Sequence, residues 1–193
     1  MITNTIPDWN HQGVLPPINV NNPTSVDRSP YLVSITDIVL RFGTTTQRKG
    51  ILSGLLTFRA NLYSAGLIEG FQWIDGSFLE NIEIIEGRSP IDIDVVTFFH
   101  LPSGKTQQDI LSAHPRLFNP VHTKADHHVD AYFVHLDSNK LELLVQHFTY
   151  WYSMWSHRRN NQWKGYLQVD LSQIDDSTAK ANLDEMKDQG GQQ

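Results

Sequence analysis

The run Ile91-Asp92-Ile93-Asp94-Val95-Val96 alternates apolar and acidic side chains with a period of two, the pattern of a half-buried strand. Successive side chains of a strand face opposite ways, so Ile91, Ile93 and Val95 share one face while Asp92 and Asp94 share the other. Two carboxylates then stand side by side. Like charges so placed raise each other's pKa and weaken the strand unless a cation sits with them. Mg²⁺ is the natural partner, being a hard ion held by one or two carboxylates together with substrate phosphates.

Upstream, Phe71-Gln72-Trp73-Ile74-Asp75 reads as a short strand that breaks at Gly76-Ser77 and runs into a helical stretch from Phe78 to Ile85. A strand, a Gly-Ser turn and a helix start make an anion site: glycine admits a phosphate close to the backbone, serine offers a hydroxyl, and free N–H groups point at the ligand. Two metals acting on one phosphoryl transfer need a third carboxylate. Asp130 suits that role, in the apolar strand-like run His127-His128-Val129-Asp130-Ala131-Tyr132-Phe133-Val134. Asp137 competes with it but opens an Asp-Ser-Asn turn.

Gly-Ser, then Asp-x-Asp on an apolar strand, then a lone Asp on a later strand, resembles the polymerase-β-type nucleotidyltransferase superfamily over about residues 47 to 136. The resemblance implies that Gly76 and Ser77 hold a nucleoside triphosphate. It also implies that Asp92, Asp94 and Asp130 are catalytic and bind two Mg²⁺ ions, with Mn²⁺ as a substitute, Asp130 being nearest the attacking hydroxyl. Glu80-Asn81 stand where many members have a basic residue and a glycine, which leaves the triphosphate's basic partner unassigned.

The fold class expected is α/β (α+β), a small mixed sheet with helices packed on one face, with strands at 71 to 75, 92 to 99, 129 to 136 and 164 to 170. Helices are expected at 34 to 42, where Ser34 and Asp37 are spaced as a capping box, and at 47 to 65, with shorter ones near 78 to 85, 106 to 113 and 140 to 156. Residues 1–30, with five of the nine prolines, read as an extended Pro/Asn-rich arm whose apolar residues pack on the domain or a partner. Residues 31–171 form a single domain, and the polar, acidic stretch 172–193 reads as a disordered tail.

The net charge is −6, of which −4 falls on residues 170–193, so the rest is nearly neutral and offers no basic face for duplex DNA. Without cysteine there is neither a disulfide framework nor a zinc-cysteine site. No run approaches the roughly 18 apolar residues of a membrane span, and Met1-Ile2-Thr3-Asn4 lacks the basic start of a signal peptide. A cytoplasmic protein without membrane insertion is expected.

Other motifs have simpler readings. Ser103-Gly104-Lys105-Thr106 resembles the end of a P-loop, but Phe99 stands where that motif requires glycine; a turn and helix cap is the better description, with Lys105 a side candidate for triphosphate. His122, His127 and His128 lack helical zinc spacing, though His128 reaches the Asp130 face if that strand starts early. The aromatic stretch from His147 to His157 suits core packing before a base-stacking platform. Arg158 and Arg159 at its end complement a helix C-terminus or meet phosphates. Tyr166 edges the core, yet a tyrosine hydroxyl near two metals is also a candidate priming acceptor.

The expected activity is Mg²⁺-dependent transfer of a nucleotidyl group from an NTP or dNTP to a hydroxyl, with release of diphosphate. More loosely, size and a tyrosine near the C-terminus resemble the minimal nucleotidyltransferase of Hailong-type anti-phage defence systems. That resemblance implies short single-stranded DNA oligomers made from dATP, primed on Tyr166, and an effector protein partner. Two alternatives stand beside it: an antitoxin-type enzyme that adenylylates a partner toxin, and a catalytically inactive nucleotide-binding or docking module.

Overall fold

The computed structural model describes residues 5–189, so the first four residues of the arm and the closing Gly-Gly-Gln-Gln lie outside the described residues. One mixed sheet has the strand order β1-β5-β2-β3-β4, with β1 at Tyr31–Leu32, β2 at Gly70–Asp75, β3 at Ile93–Phe99, β4 at Val129–His135 and β5 at Leu167–Asp170. β1 lies parallel to β5 and β3 parallel to β4, while β2 is antiparallel to both β3 and β5. Helices α1 (Ile35–Phe42), α2 (Thr46–Ser64), α3 (Ile82–Ile85), α4 (Gln107–Ala113), α5 (Pro120–His127), α6 (Leu141–Trp155) and α7 (Asp176–Gln189) flank it. This is the mixed α/β class expected from the sequence.

Period-two alternation along β3 gives the sheet two different faces. Val95, Thr97 and Phe99 share the face on which Phe133 of β4 meets Phe58 of α2, with ring centroids 6.3 Å apart. Helices α1, α2, α5 and α7 pack on one another on that side, as the one-face arrangement anticipates. Asp94, Val96 and Phe98 face the other way, where α6 adds a second cover: the Phe148 ring stacks on Phe98 at 4.9 Å, in a cluster with Phe71 and Trp73. The acid-bearing face therefore looks toward α6.

Helix starts follow local chemistry. Ser34 and Asp37 complete a capping box on α1, and Thr106 with Asp109 completes another on α4, so the P-loop-like stretch is a turn and cap. Asn119 and Pro120, as N-cap and first-turn proline, start α5, which the sequence reading left out. Gly54 of α2 lets the end of α5 approach, since a Cβ there would fall 1.9 Å from the His127 carbonyl oxygen.

Residues 5–30 lie against the domain. Trp9 Nε1 donates to the Leu79 carbonyl at 2.7 Å, the Gly165 N–H donates to Leu15 O at 2.7 Å, and Val14 and Leu15 are buried. None of the described helices is long and apolar enough to cross a membrane.

The expectation of a disordered tail needs correction. Residues 176–189 form α7, which packs on α1 and α2 and buries Ala179 and Leu183. The overall polarity hides a narrow stripe: Ala179, Leu183 and Met186 recur at helical spacing, and a charged anchor secures the helix start. Arg59 of α2, almost fully buried, donates to Asp176 through Nε and Nη2 at 2.8 Å each and to Gln72 of β2 at 2.6 Å. Removing one partner of such a pair leaves a buried charge uncompensated. Asp176→Ala is expected to cost about 3 kcal/mol in urea unfolding, whereas a loss below about 0.5 kcal/mol would show that α7 is not anchored through Arg59.

Candidate active site

Strand register brings the acids together. Asp75 of β2 pairs with Asp94 of β3, and Asp94 pairs with Asp130 of β4, so three carboxylates stand abreast on strands spaced about 4.8 Å apart. Asp92 lies one residue before β3 begins and joins them on the same side through Lys124 of α5, whose Nζ is 2.6 Å from Asp92 Oδ2 and 3.6 Å from Asp130 Oδ2. Ile93 and Val95 are buried beneath, but Ile91, expected to share their face, is exposed because the strand starts after it.

Gly76 follows Asp75 with φ +93°, a backbone conformation that favours glycine. A Cβ there would lie 2.7 Å from Asp94 Oδ2, so glycine is also what lets that carboxylate rest against the turn. The continuous helix expected from Phe78 to Ile85 does not form: Ser77–Leu79 is a single 3₁₀ turn, Glu80 is extended, and α3 begins at Ile82. Buried Arg48 of α2 donates to the Phe78 and Glu80 carbonyls at 2.6 and 2.7 Å and pairs with Glu83 at 2.6 Å. A guanidinium thus takes carbonyls that helical bonding would otherwise use, and the turn is held in place without a helix.

A second cluster lies beside Asp75. Lys164, only 5% exposed, reaches Asp75 Oδ1 at 2.8 Å and Glu80 Oε1 at 3.3 Å, and Arg158 pairs with Glu80 at 3.1 Å and also with Glu86. Burial raises the Asp75 carboxyl to about 6 against the pull of Lys164. For Lys164 burial acts to lower the pKa, but the charges of Asp75 and Glu80 outweigh it and hold the ammonium protonated. Asp94 is raised to about 7, first by burial and then by the charges of Asp75, Asp92 and Asp130.

Among the described residues no group of three or more His, Asp or Glu side chains is arranged as a metal site as it stands. Two ammonium groups engage the carboxylates instead, Lys124 at Asp92 and Asp130 and Lys164 at Asp75. Over the acids opens a cavity of about 780 Å³, walled by the Gly76-Ser77 turn, by Tyr132, by Tyr150 and Trp151 of α6, and by Arg88, Arg158 and Arg159.

The structure therefore joins Gly76, Ser77, Asp92, Asp94 and Asp130 around one cavity, with Arg158 and Arg159 on its wall, and places Tyr166, Asp137 and His128 elsewhere. Tyr166 is wholly buried: its ring packs against Trp73 and Trp155, and its hydroxyl finds no hydrogen-bond partner among the described residues. It does not line the cavity, which corrects its candidacy as a priming acceptor, since such a hydroxyl must reach substrate. Asp137 is tied up in its turn, accepting from the Leu101 N–H at 2.7 Å and bonded to His100 and His135. His128 is the left-handed cap of α5, one residue before β4 begins, so it does not share the Asp130 face.

Asp75, Lys124 and Lys164 were not singled out from the sequence. Asp75 had a legible signal, two residues after Trp73 on one strand face and directly before Gly-Ser. Asn119-Pro120 announced the helix that carries Lys124. Lys164 gave none, because its partners are remote in sequence.

A family model matches residues 7–170. The chain belongs to DUF6932, a family of unknown function. Neither the curated proteins nor the solved structures show a match. The stretch shared with the family takes in every residue of the cavity floor and ends before α7.

The raised carboxyls give a signed pH dependence. An acid whose folded pKa lies above its unfolded value holds its proton better in the folded state, so its contribution is full below about pH 4 and is lost as pH rises toward 7. Asp94→Asn removes that term. Between pH 5 and pH 7.5 in metal-free buffer, wild type is expected to lose about 1–3 kcal/mol more unfolding free energy than Asp94→Asn. Parallel pH profiles from urea titrations would show that Asp94 is an ordinary ionised carboxylate.

Proposed function

We propose that this protein is a nucleotidyltransferase that uses a divalent cation to move a nucleotidyl group from an NTP or dNTP to an acceptor hydroxyl. One observation carries the reading: Asp75, Asp94 and Asp130 share a register across three strands, with the Gly76-Ser77 turn beside them and the cavity above. In the reaction the acceptor oxygen bonds to the α-phosphorus, the bond from that phosphorus to the bridging oxygen breaks, diphosphate leaves, and the hydroxyl proton passes to solvent or a carboxylate.

The donor set suits Mg²⁺. It is all carboxylate oxygen, and Asp94 is raised to about 7, first by burial and then by the neighbouring carboxylate charges, which a cation would offset. Asp92, Asp94 and Asp130 would hold the ion, which when bound polarises phosphoryl oxygens and lowers the pKa of an acceptor hydroxyl. The chain's own residues do the rest. Lys124, about half exposed, turns from Asp92 and Asp130 toward the phosphates. Gly76 admits a phosphate close to the backbone, and Ser77 offers its hydroxyl. Arg158 and Arg159, candidates to meet phosphates from the sequence, and Arg88 supply the positive charge of the cavity wall.

The acceptor has a second reading with specific support. Leu141, Val145, Tyr150 and Met154 expose apolar surface along α6, and Tyr150 and Met154 reach the cavity rim. An acceptor protein lying on that helix would present a hydroxyl to the site, as the adenylylating alternative requires, while buried Tyr166 argues against self-priming. Oligomer synthesis from dATP remains the product to test first under the looser resemblance.

Incubation of the full chain with each labelled NTP and dNTP and Mg²⁺, resolved by gel and mass spectrometry, tests the reading. Diphosphate release with a labelled oligomer or protein is expected, and Asp94→Asn is expected to reduce it by at least about 10³-fold. Absence of any turnover or metal-dependent nucleotide binding would remove the enzyme reading.

A further inference from the structure

The cavity has two chemically different sides. Across the strand order β2-β3-β4, the Gly76-Ser77 turn stands at the β2 side of the acid row and Tyr132 at the β4 side, two strand spacings or about 10 Å away. Tyr132 follows Asp130 by two residues on the same strand face. Over it lies Trp151 of α6, ring centroids 4.8 Å apart and planes inclined at 50°, and Tyr150 meets Trp151 edge-on at 5.1 Å. Tyr132 is 36% exposed and Tyr150 53%, so neither ring belongs to the core. Core packing of this face is met separately, by Trp73, Phe98 and Phe148.

We propose that Tyr132, Trp151 and Tyr150 form the nucleobase subsite of the cavity, taking the base of a nucleotide whose phosphates lie over the acids and the Gly76-Ser77 turn. This rests on the nucleotide reading above and adds which end of the cavity takes the base. Aromatic faces stack on any base and gain with ring area, so the subsite favours purines over pyrimidines through stacking. An alternative role as a protein-docking patch fits less well: Tyr132, Trp151 and Tyr150 line the same cavity as the acid row.

Calorimetric titration of the full chain with Mg²⁺ and ATP, CTP or inorganic tripolyphosphate separates the ends of the cavity. Tripolyphosphate reports the phosphate end alone. ATP is expected to bind at least tenfold more tightly than tripolyphosphate and several-fold more tightly than CTP. Trp151→Leu, which keeps an apolar side chain against Tyr132, is expected to weaken ATP about tenfold and to leave tripolyphosphate within twofold. If that variant does not fold, Tyr150→Ala, at a mostly exposed ring, is expected to weaken ATP several-fold with the same selectivity. The subsite is overturned if tripolyphosphate binds as tightly as ATP, or if the folded variant loses both ligands equally. Failure of all three ligands to bind wild type would overturn the nucleotide reading together with the subsite.

Discussion

Three carboxylates abreast on neighbouring strands repel one another, and β-sheet register holds Asp75, Asp94 and Asp130 in that position. The strands cannot slip to separate them. A one-residue shift would turn Ile93, Val95, Val129 and Ala131 out of the core they fill. Apolar burial on one face therefore fixes an unfavourable charge arrangement on the other, and most of the surrounding structure answers that repulsion. Lys164 is buried against Asp75, Lys124 bridges Asp92 and Asp130, and burial together with the repulsion that is left raises Asp94 to about 7.

Two buried arginines of α2 connect this arrangement to the rest of the chain. Arg48 fixes the backbone after Gly76-Ser77 by taking two of its carbonyls. Arg59 joins β2 through Gln72 to the start of α7. One helix thus sets both the turn that borders the acids and the terminal helix, while α6 lies across the opposite face and closes the cavity with aromatic side chains, Arg158 and Arg159 following just past its end. The resulting surface is graded, from carboxylates and a glycine turn at one end to exposed rings at the other, and that grading supports a ligand that is anionic at one end and flat at the other.

Much of this was legible in the sequence, for physical reasons. Period-two alternation marked β3, apolar strand-like runs marked β2 and β4, and the spacing of Ile51, Leu55, Phe58 and Leu62 marked α2. Gly76, Ser77, Asp92, Asp94 and Asp130 could be singled out because each breaks an apolar pattern. Residues whose role depends on partners remote in sequence could not: Lys164 is significant only once β5 lies beside β2. Helix α7 was missed because a thin apolar stripe and one ion pair stabilise it while its composition stays polar. Tyr166 reads from the sequence as edging the core, with a priming role implied by the looser resemblance, and the cover that α6 places over its ring is a tertiary fact.

Titration with Mn²⁺, followed by the electron paramagnetic resonance of the free ion at pH 7.5, tests most directly whether the repelling carboxylates are a cation site. Wild type should take up Mn²⁺ saturably, Lys124→Gln should bind it more tightly because the internal ammonium no longer competes, and Asp94→Asn should lose the site. Equal Mn²⁺ uptake by wild type and Asp94→Asn, or no saturable uptake by wild type, would contradict it and leave the lysines as the permanent counter-ions of the acid row.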